Sequence, residues 1–136
     1  MNAVLDASVW VARLVRQDAF HDPVKRWMET RRAAGDLFYA PDLLLAEVSG
    51  AIRRRLDDQA LASRAVEVLM NLPALRLVEM DRELLVQASR LAAELGLRGA
   101  DATYAALAQR LNLPLATFDA DQRERVTQRI PIAEIN

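Results

Sequence analysis

Short apolar runs alternate with segments of helical spacing along nearly the whole chain. Five of these runs predict strands, at residues 2–6, 37–40, 75–80, 114–118 and 130–135. The last run predicts an edge strand, because Pro131 has no amide hydrogen and is tolerated only at an edge or a strand start. This alternation favours an α/β sandwich built on a mainly parallel sheet of four to five strands.

Polar residues and prolines mark the ends of the predicted helices. Ser8 is predicted to cap a helix over 9–16, and Asp22 with Pro23 at the first helical position to open the next, which ends near Gly35. The other helices are predicted over residues 41–56, 57–72, 81–96, 101–112 and 120–128. No repeat or linker interrupts the pattern, so we expect residues 1–136 to form a single domain.

The composition narrows the class of protein. The chain has 136 residues, 52% of them hydrophobic, and a formal net charge of -1, which is unlike a disordered protein. No stretch without a charged residue exceeds eight residues, so no membrane span is predicted. Asp6 interrupts the N-terminal apolar stretch, which argues against a secretory signal. The absence of cysteine excludes disulfides and thiolate metal sites, and we expect a cytoplasmic protein.

The basic residues are almost all arginine. Seventeen of the eighteen are arginine, and Lys25 is the only lysine. Two interpretations remain open: a codon bias that favours arginine, or guanidinium groups that bind phosphate in bidentate fashion. The near-zero net charge argues against a surface that binds nucleic acid everywhere.

Four acidic residues fall where parallel sheets form their sites, beyond the carboxyl ends of the strands. Asp6 ends the first predicted strand, and Asp119 ends the fourth. Glu47 lies on the helix that follows the second strand, and Asp101 is at the start of the helix that precedes the fourth strand. These four residues are called the acidic site below.

Each acid has a structural alternative. Asp101 and Asp119 precede helices, where capping and the helix dipole favour an aspartate. Asp6 is harder to explain as a cap, because Ser8 is the more natural cap. Glu47 lies within an apolar stretch, where an unpaired carboxylate would be costly.

Carboxylates gathered at one point repel each other unless a cation neutralises them. Oxygen ligands favour Mg²⁺ or Mn²⁺, and the single histidine, His21, cannot build a zinc site. Such cations suit phosphodiester hydrolysis, because they lower the pKa of a water and stabilise charge on the attacked phosphate.

Four segments carry a family resemblance: Val-Leu-Asp-Ala-Ser at 4–8, Ala-Glu-Val at 46–48, Gly-Ala-Asp-Ala at 99–102 and Ala-Thr-Phe-Asp at 116–119. In order and spacing they resemble the PIN domain, and in particular the VapC-type ribonuclease toxins of toxin–antitoxin pairs. The resemblance covers essentially the whole chain. It implies a three-layer α/β/α sandwich, one pocket holding the acidic site with Mg²⁺ or Mn²⁺, and endonucleolytic cutting of RNA.

The resemblance also implies roles for individual residues. Asp6 and Asp101 would be direct metal ligands, while Glu47 and Asp119 would complete the cluster or orient the attacking water. The remaining expected contributors are supporting hydroxyls and an extra acid: Ser8, Thr117 and Asp121. Products would carry 5′-phosphate and 3′-hydroxyl ends, since no histidine or lysine pair is placed to activate the 2′-hydroxyl.

Arginines near the acidic site are candidates for substrate binding. Arg13 and Arg16 follow the Asp6 turn, and Arg98 adjoins Asp101. Residues 53–55 are three arginines at the end of the helix that carries Glu47. They either lie in solvent at a helix end, where cations suit the helix dipole, or contribute to substrate binding.

The first two helices carry an apolar stripe that includes Trp10, Leu14, Trp27 and Met28. Core packing is the default explanation for this stripe. The resemblance additionally implies a homodimer, and a VapB-type antitoxin peptide in a groove near these helices, with an arginine presented to the acidic site.

Other enzyme classes fit less well. A HAD-type phosphatase needs Asp-x-Asp after the first strand, where this chain has Asp6 followed by Ala7 and Ser8. A response-regulator receiver needs a late lysine, and a Toprim-like nuclease needs a glutamate at the end of the first strand. A catalytically silent PIN-like module that binds RNA or protein remains an alternative.

Overall fold

Four short strands form one parallel sheet in the computed structural model, which describes residues 1–136. The strands are β1 (Ala3–Leu5), β2 (Phe38–Pro41), β3 (Leu75–Val78) and β4 (Leu115–Ala116). Their order across the sheet is β3-β2-β1-β4, so β1 and β4 are adjacent although more than a hundred residues separate them.

Seven helices connect and flank the strands. They are α1 (Ala7–Leu14), α2 (His21–Ala33), α3 (Leu44–Leu56), α4 (Gln59–Met70), α5 (Arg82–Leu95), α6 (Gly99–Leu111) and α7 (Ala120–Val126). The predicted α/β sandwich with a parallel sheet is therefore confirmed, with four strands. None of these helices combines the length and apolar composition needed to cross a membrane.

Helix α6 is buried more completely than any other helix. Every residue from 102 to 108 is buried, because α6 packs on β1, β2 and β4 with one side and on α5 with another. A helix covered on both sides needs small apolar residues, and this segment is rich in alanine. The burial fixes α6 against the sheet and thereby fixes Asp101 in its first turn.

The apolar stripe of the first two helices packs in the core. Trp10, Trp27 and Met28 are all buried, and the rings of Trp10 and Trp27 both contact Phe38 of β2. Core packing, the default explanation for these side chains, is confirmed.

The predicted last strand at 130–135 is wrong. Only one bridge forms, in which Leu115 donates its amide hydrogen to the Pro131 carbonyl and Ala133 donates to the Leu115 carbonyl. β4 is two residues long, and Pro131 has no amide hydrogen, so the pairing stops after one bridge.

Four predicted helix starts also differ, and one of these is α6, which begins at Gly99 instead of Asp101. Asp6 rather than Ser8 is the N-cap of α1, since its carboxylate accepts hydrogen bonds from the amides of Ser8 and Val9. α3 starts at Leu44, because Pro41 remains in β2 opposite Val78. α2 starts at His21, so its proline stands third in the helix, where a missing amide hydrogen costs nothing.

Candidate functional site

Asp6 lies at the carboxyl end of β1 and is almost fully buried, with 4% of its surface exposed. Its Oδ1 accepts the hydroxyl of Ser8 at 2.5 Å and the amide of Ser8 at 3.0 Å. Its Oδ2 accepts the hydroxyl of Thr117 at 2.5 Å. Both carboxylate oxygens are thus held, which fixes the side chain at the boundary between β1 and β4.

Burial raises the pKa of Asp6 to about 6, from an ordinary value of 3.8. The hydroxyls of Ser8 and Thr117 and the amides at the start of α1 oppose this shift, because they stabilise the charged form. Desolvation is the larger effect, so Asp6 ionises less readily in the folded protein than in the unfolded chain.

Thr117 connects Asp6 to the rest of the site. Its hydroxyl accepts the amide of Asp119 at 3.0 Å, and the side-chain Oε1 of Gln122 lies 3.0 Å from the same oxygen. A hydroxyl has one proton to donate, and the Asp6 carboxylate at 2.5 Å is the stronger of its two acceptors. Gln122, 1% exposed, also donates through Nε2 to the Asp101 carbonyl at 3.3 Å.

The hydroxyl of Ser8 joins the same network from the side of α1. It donates to Asp6 and accepts the amide of Phe118 at 3.0 Å. The two hydroxyls predicted as supporting residues, Ser8 and Thr117, therefore both contact Asp6 directly.

Glu47 lies in the first turn of α3, and Tyr104 of α6 donates its hydroxyl to Glu47 Oε1 at 2.6 Å. Burial raises the pKa of Tyr104, and the charge of Glu47 raises it further, so this hydroxyl remains a proton donor. The bond satisfies one carboxylate oxygen of Glu47 and fixes the side chain against α6.

Asp101 and Asp119 meet at the guanidinium of Arg98. Nε of Arg98 lies 3.2 Å from Asp101 Oδ2, and Nη2 lies 2.8 Å from Asp119 Oδ2. Burial raises the pKa of Asp101, the contact with Arg98 lowers it, and the charges of Asp119 and Asp121 raise it again. The Arg98 side chain is 75% exposed, so solvent screens both ion pairs.

Asp121, Arg13 and Arg16, the other predicted contributors, form no hydrogen bond with Asp6. Asp121 accepts the Arg125 guanidinium through both carboxylate oxygens at 3.0 Å. Arg13 lines a small cavity between α1, α2 and α4 instead of the acidic site, and Arg16 is exposed after the end of α1.

The donor chemistry of the acidic site fits a hard divalent cation, since every candidate ligand is a carboxylate oxygen. As the side chains stand, no three of the acidic or histidine residues are grouped closely enough to hold a metal ion. Arg98 occupies the space between Asp101 and Asp119 and neutralises them there. Its high exposure leaves it free to move aside.

The sequence pattern did not identify two buried polar residues of the site, Tyr104 and Gln122. Tyr104 resembles any aromatic residue on a buried helix, and only its contact with Glu47, 57 residues away, distinguishes it. The sequence carries a weak signal for Gln122, because an Asp followed by a Gln three residues later matches a capping box. Asp119 does cap α7, but the Gln122 side chain binds Thr117 and Asp101 instead of completing the box.

Several solved structures share this fold. VapC20 of Mycobacterium tuberculosis, a Sarcin-Ricin loop cleaving toxin, is 21% identical with a TM-score of 0.76, covering 90% of this chain and 93% of its own. PAE2754 of Pyrobaculum aerophilum is 26% identical with a TM-score of 0.67, covering 92% and 84%. VapBC2 of Rickettsia felis, bound to a DNA fragment from their promoter, is 15% identical with a TM-score of 0.75 and full coverage of both chains.

A sequence search of curated proteins found no significant match. The PIN domain family, by contrast, matches residues 3–126. This segment contains all four strands, all seven helices and the whole acidic site. The chain therefore belongs to the PIN domain family.

Proposed function

We propose that the chain is an endoribonuclease that requires Mg²⁺ or Mn²⁺ and leaves 5′-phosphate and 3′-hydroxyl ends. Membership of the PIN domain family supports this proposal. The observation that carries it is the chain of contacts that joins Asp6, Asp119 and Asp101 beyond the carboxyl ends of β1 and β4, through Thr117 and Arg98.

Asp6 and Asp101 are the proposed direct ligands of the metal, with Glu47 and Asp119 completing the cluster. Bound there, the cation would stabilise charge on the attacked phosphate and lower the pKa of a water. Arg98 would leave the two aspartates as the metal arrives. Its exposed guanidinium would then be available to a phosphate of the substrate.

The chain's own residues would hold the reacting groups in place. The bonds from Ser8 and Thr117 keep Asp6 fixed, which limits the reorganisation needed during reaction. Tyr104 holds Oε1 of Glu47, so Oε2 is left to orient a water against the phosphate. The chain has one histidine, His21, whose Nδ1 contacts the Ala12 carbonyl at 2.9 Å, so no histidine pair is available to activate the 2′-hydroxyl.

We further propose that the chain is the toxin of a toxin–antitoxin pair and acts in the cytoplasm. The shared fold with VapC20 and VapBC2 supports this role. A VapB-type antitoxin would bind near α1 and α2, where a cavity of about 90 Å³ is lined by Trp10, Leu14 and Met28. Exposed Leu85 and Val86 on α5 favour a homodimer.

The nuclease proposal is tested by incubating the purified chain with defined RNAs and Mn²⁺, with and without EDTA, and sequencing the cut ends. We expect cleavage that EDTA and Asp101→Asn both abolish. Cleavage that survives EDTA would contradict the metal requirement. Failure to cut any RNA in Mn²⁺ would instead favour a module that binds RNA or protein without cutting it.

The partner proposals need separate measurements. We expect light scattering to give twice the chain mass of 15.2 kDa. A small open reading frame beside the gene, encoding a DNA-binding protein that co-purifies with the chain and blocks cleavage, would support the toxin role. A monomeric mass at micromolar concentration would contradict the homodimer.

A further inference from the structure

A cleft of about 400 Å³ opens beside the acidic site, between α1, α3 and the segment after β4. We call it the aromatic cleft and define it by six of its lining residues: Ser8, Phe20, Glu47, Arg54, Arg55 and Phe118. Glu47 belongs to both the cleft and the acidic site, and Ser8, which also lines the cleft, donates its hydroxyl to Asp6. A polymer whose backbone lies at the acidic site can therefore extend into the aromatic cleft without a break.

Two phenylalanine rings form one wall of the aromatic cleft. The rings of Phe20 and Phe118 are stacked, with centroids 4.3 Å apart and planes 10° from parallel. Phe20 is nevertheless 49% exposed, although large apolar side chains are normally buried. Its amide donates to Asp18 Oδ1 at 2.8 Å, which fixes the turn that presents the ring. The result is a rigid, partly exposed aromatic surface.

Three arginines at the end of α3 differ in their ion pairs. Arg53 pairs with Asp57 one turn along α3, away from the cleft. Arg55 pairs with Asp18 at 2.6 Å, so the negative charge of Asp18 within the cleft is neutralised. Arg54 makes no ion pair with any acidic residue of the chain and lines the cleft.

The position of Arg54 depends on a small residue one turn earlier. A Cβ atom at Gly50 would come within 3.0 Å of Arg54 Nη1, so the glycine leaves room for the guanidinium to fold back along α3. Helical side chains lean toward the N-terminus, which here is the end that carries Glu47. Glu47 and Arg54 are seven residues apart, about 10 Å along the helix.

We propose that the aromatic cleft binds an unpaired nucleotide of the RNA, next to the phosphodiester that is cleaved. The base stacks on Phe20, and the guanidinium of Arg54 contacts the adjoining phosphate. An exposed aromatic ring beside a free cation is an arrangement by which proteins hold single-stranded nucleic acid, since a base within a duplex has both faces covered by its stacked neighbours. This inference rests on the proposed ribonuclease function and assigns to Phe20 and Arg54 the contacts that hold the nucleotide beside the cleaved bond.

The test measures RNA binding apart from cleavage. A short single-stranded RNA containing 2-aminopurine is titrated with the Asp101→Asn protein in Mg²⁺, and both anisotropy and base fluorescence are recorded. We expect Phe20→Leu to weaken binding roughly five-fold or more and to abolish the quenching that stacking causes, while Phe20→Trp retains both. Arg54→Gln should weaken binding and reduce the salt dependence by about 0.7 in log–log slope.

Arg53→Gln is the matched control, because it removes the neighbouring charge outside the cleft and should bind like the parent. Equal binding by Phe20→Leu, Arg54→Gln and the parent would overturn the inference, as would an equal loss in Arg53→Gln and Arg54→Gln. A duplex that binds as tightly as the single strand would also overturn it. If the wild-type chain still cuts RNA in these cases, the proposed function stands. A wild-type chain that neither binds nor cuts RNA would overturn both.

Discussion

The hydroxyl of Tyr104 lies 2.6 Å from Oε1 of Glu47, and this bond joins α6 to α3 across 57 residues of sequence. Tyr104 is buried in the helix whose first turn carries Asp101. One packed helix therefore positions two members of the acidic site, one as its own residue and the other through a hydrogen bond.

We expect Tyr104→Phe to lower cleavage about ten-fold and to leave the free energy of unfolding within about 1.5 kcal/mol of the wild type. Phenylalanine keeps the packing, but Glu47 loses the partner that fixes its carboxylate. The measurements are kcat/KM on a defined RNA and a urea denaturation curve. Tyr39→Phe, in β2, changes the only other tyrosine and should cleave normally. Equal activity of both variants would contradict the positioning role.

Asp6→Asn should make the metal-free protein more stable, and the gain should grow with pH. Because the folded-state pKa of Asp6 is raised to about 6, the folded protein binds this proton more tightly than the unfolded chain. Wild-type stability therefore falls as the pH rises from about 4 to 6, and the cost is fully present above that window. We expect a gain of about 1–3 kcal/mol at pH 8 and little at pH 4.

Urea denaturation in EDTA at pH 4, 6 and 8 measures this difference. Saturating Mn²⁺ should stabilise the wild type and remove much of the gap at pH 8, because binding to the folded state alone adds stability. A stability difference that does not change with pH would show that burial of the Asp6 charge is not its cause.

Thr117→Val should destabilise the protein by about 2 kcal/mol, since it keeps the shape but leaves Asp6 Oδ2 and the Asp119 amide without their partner. Loss of the hydroxyl bond should also raise the pKa of Asp6 further, because this bond favours the charged form. The acid limb of the pH–rate profile should then move to higher pH. Thr117→Ser keeps the hydroxyl and should leave that limb in place; a shift of the limb in both variants would refute the assignment.

Arg98→Met should tighten Mn²⁺ binding about two- to five-fold, because the exposed ion pairs with Asp101 and Asp119 no longer compete with the metal. Isothermal titration gives the Kd directly, without reference to cleavage. Arg125→Met serves as the control, since Arg125 pairs with Asp121 and contacts neither aspartate. Weaker Mn²⁺ binding by Arg98→Met would show that Arg98 supports the metal instead of competing with it.

Much of the fold followed from short-range signals. Asp58 and Asp81 cap α4 and α5 as their positions predict, and Gly96 ends α5 with a φ of 71°. These features depend on hydrogen bonds between residues two to four positions apart, so the local sequence is sufficient to predict them. The two failures have different causes. Ser8 is not the cap of α1, because Asp6, two residues earlier, accepts the first amides of the helix. Pro41 is not in α3, because it pairs with Val78 of β3, which is a long-range contact.

The sequence by itself determined which acids stand at the carboxyl ends of strands and helix starts, because strand period and capping chemistry are local. Only the tertiary structure decided what holds those acids. Thr117 reaches Asp6 across 111 residues, Arg98 reaches Asp119 across 21, and the exposed Phe20 stacks on Phe118. Such pairs follow from the strand order β3-β2-β1-β4 and from the packing of α6 on the sheet. That packing depends on burial summed over the whole core, which no short segment of the chain encodes.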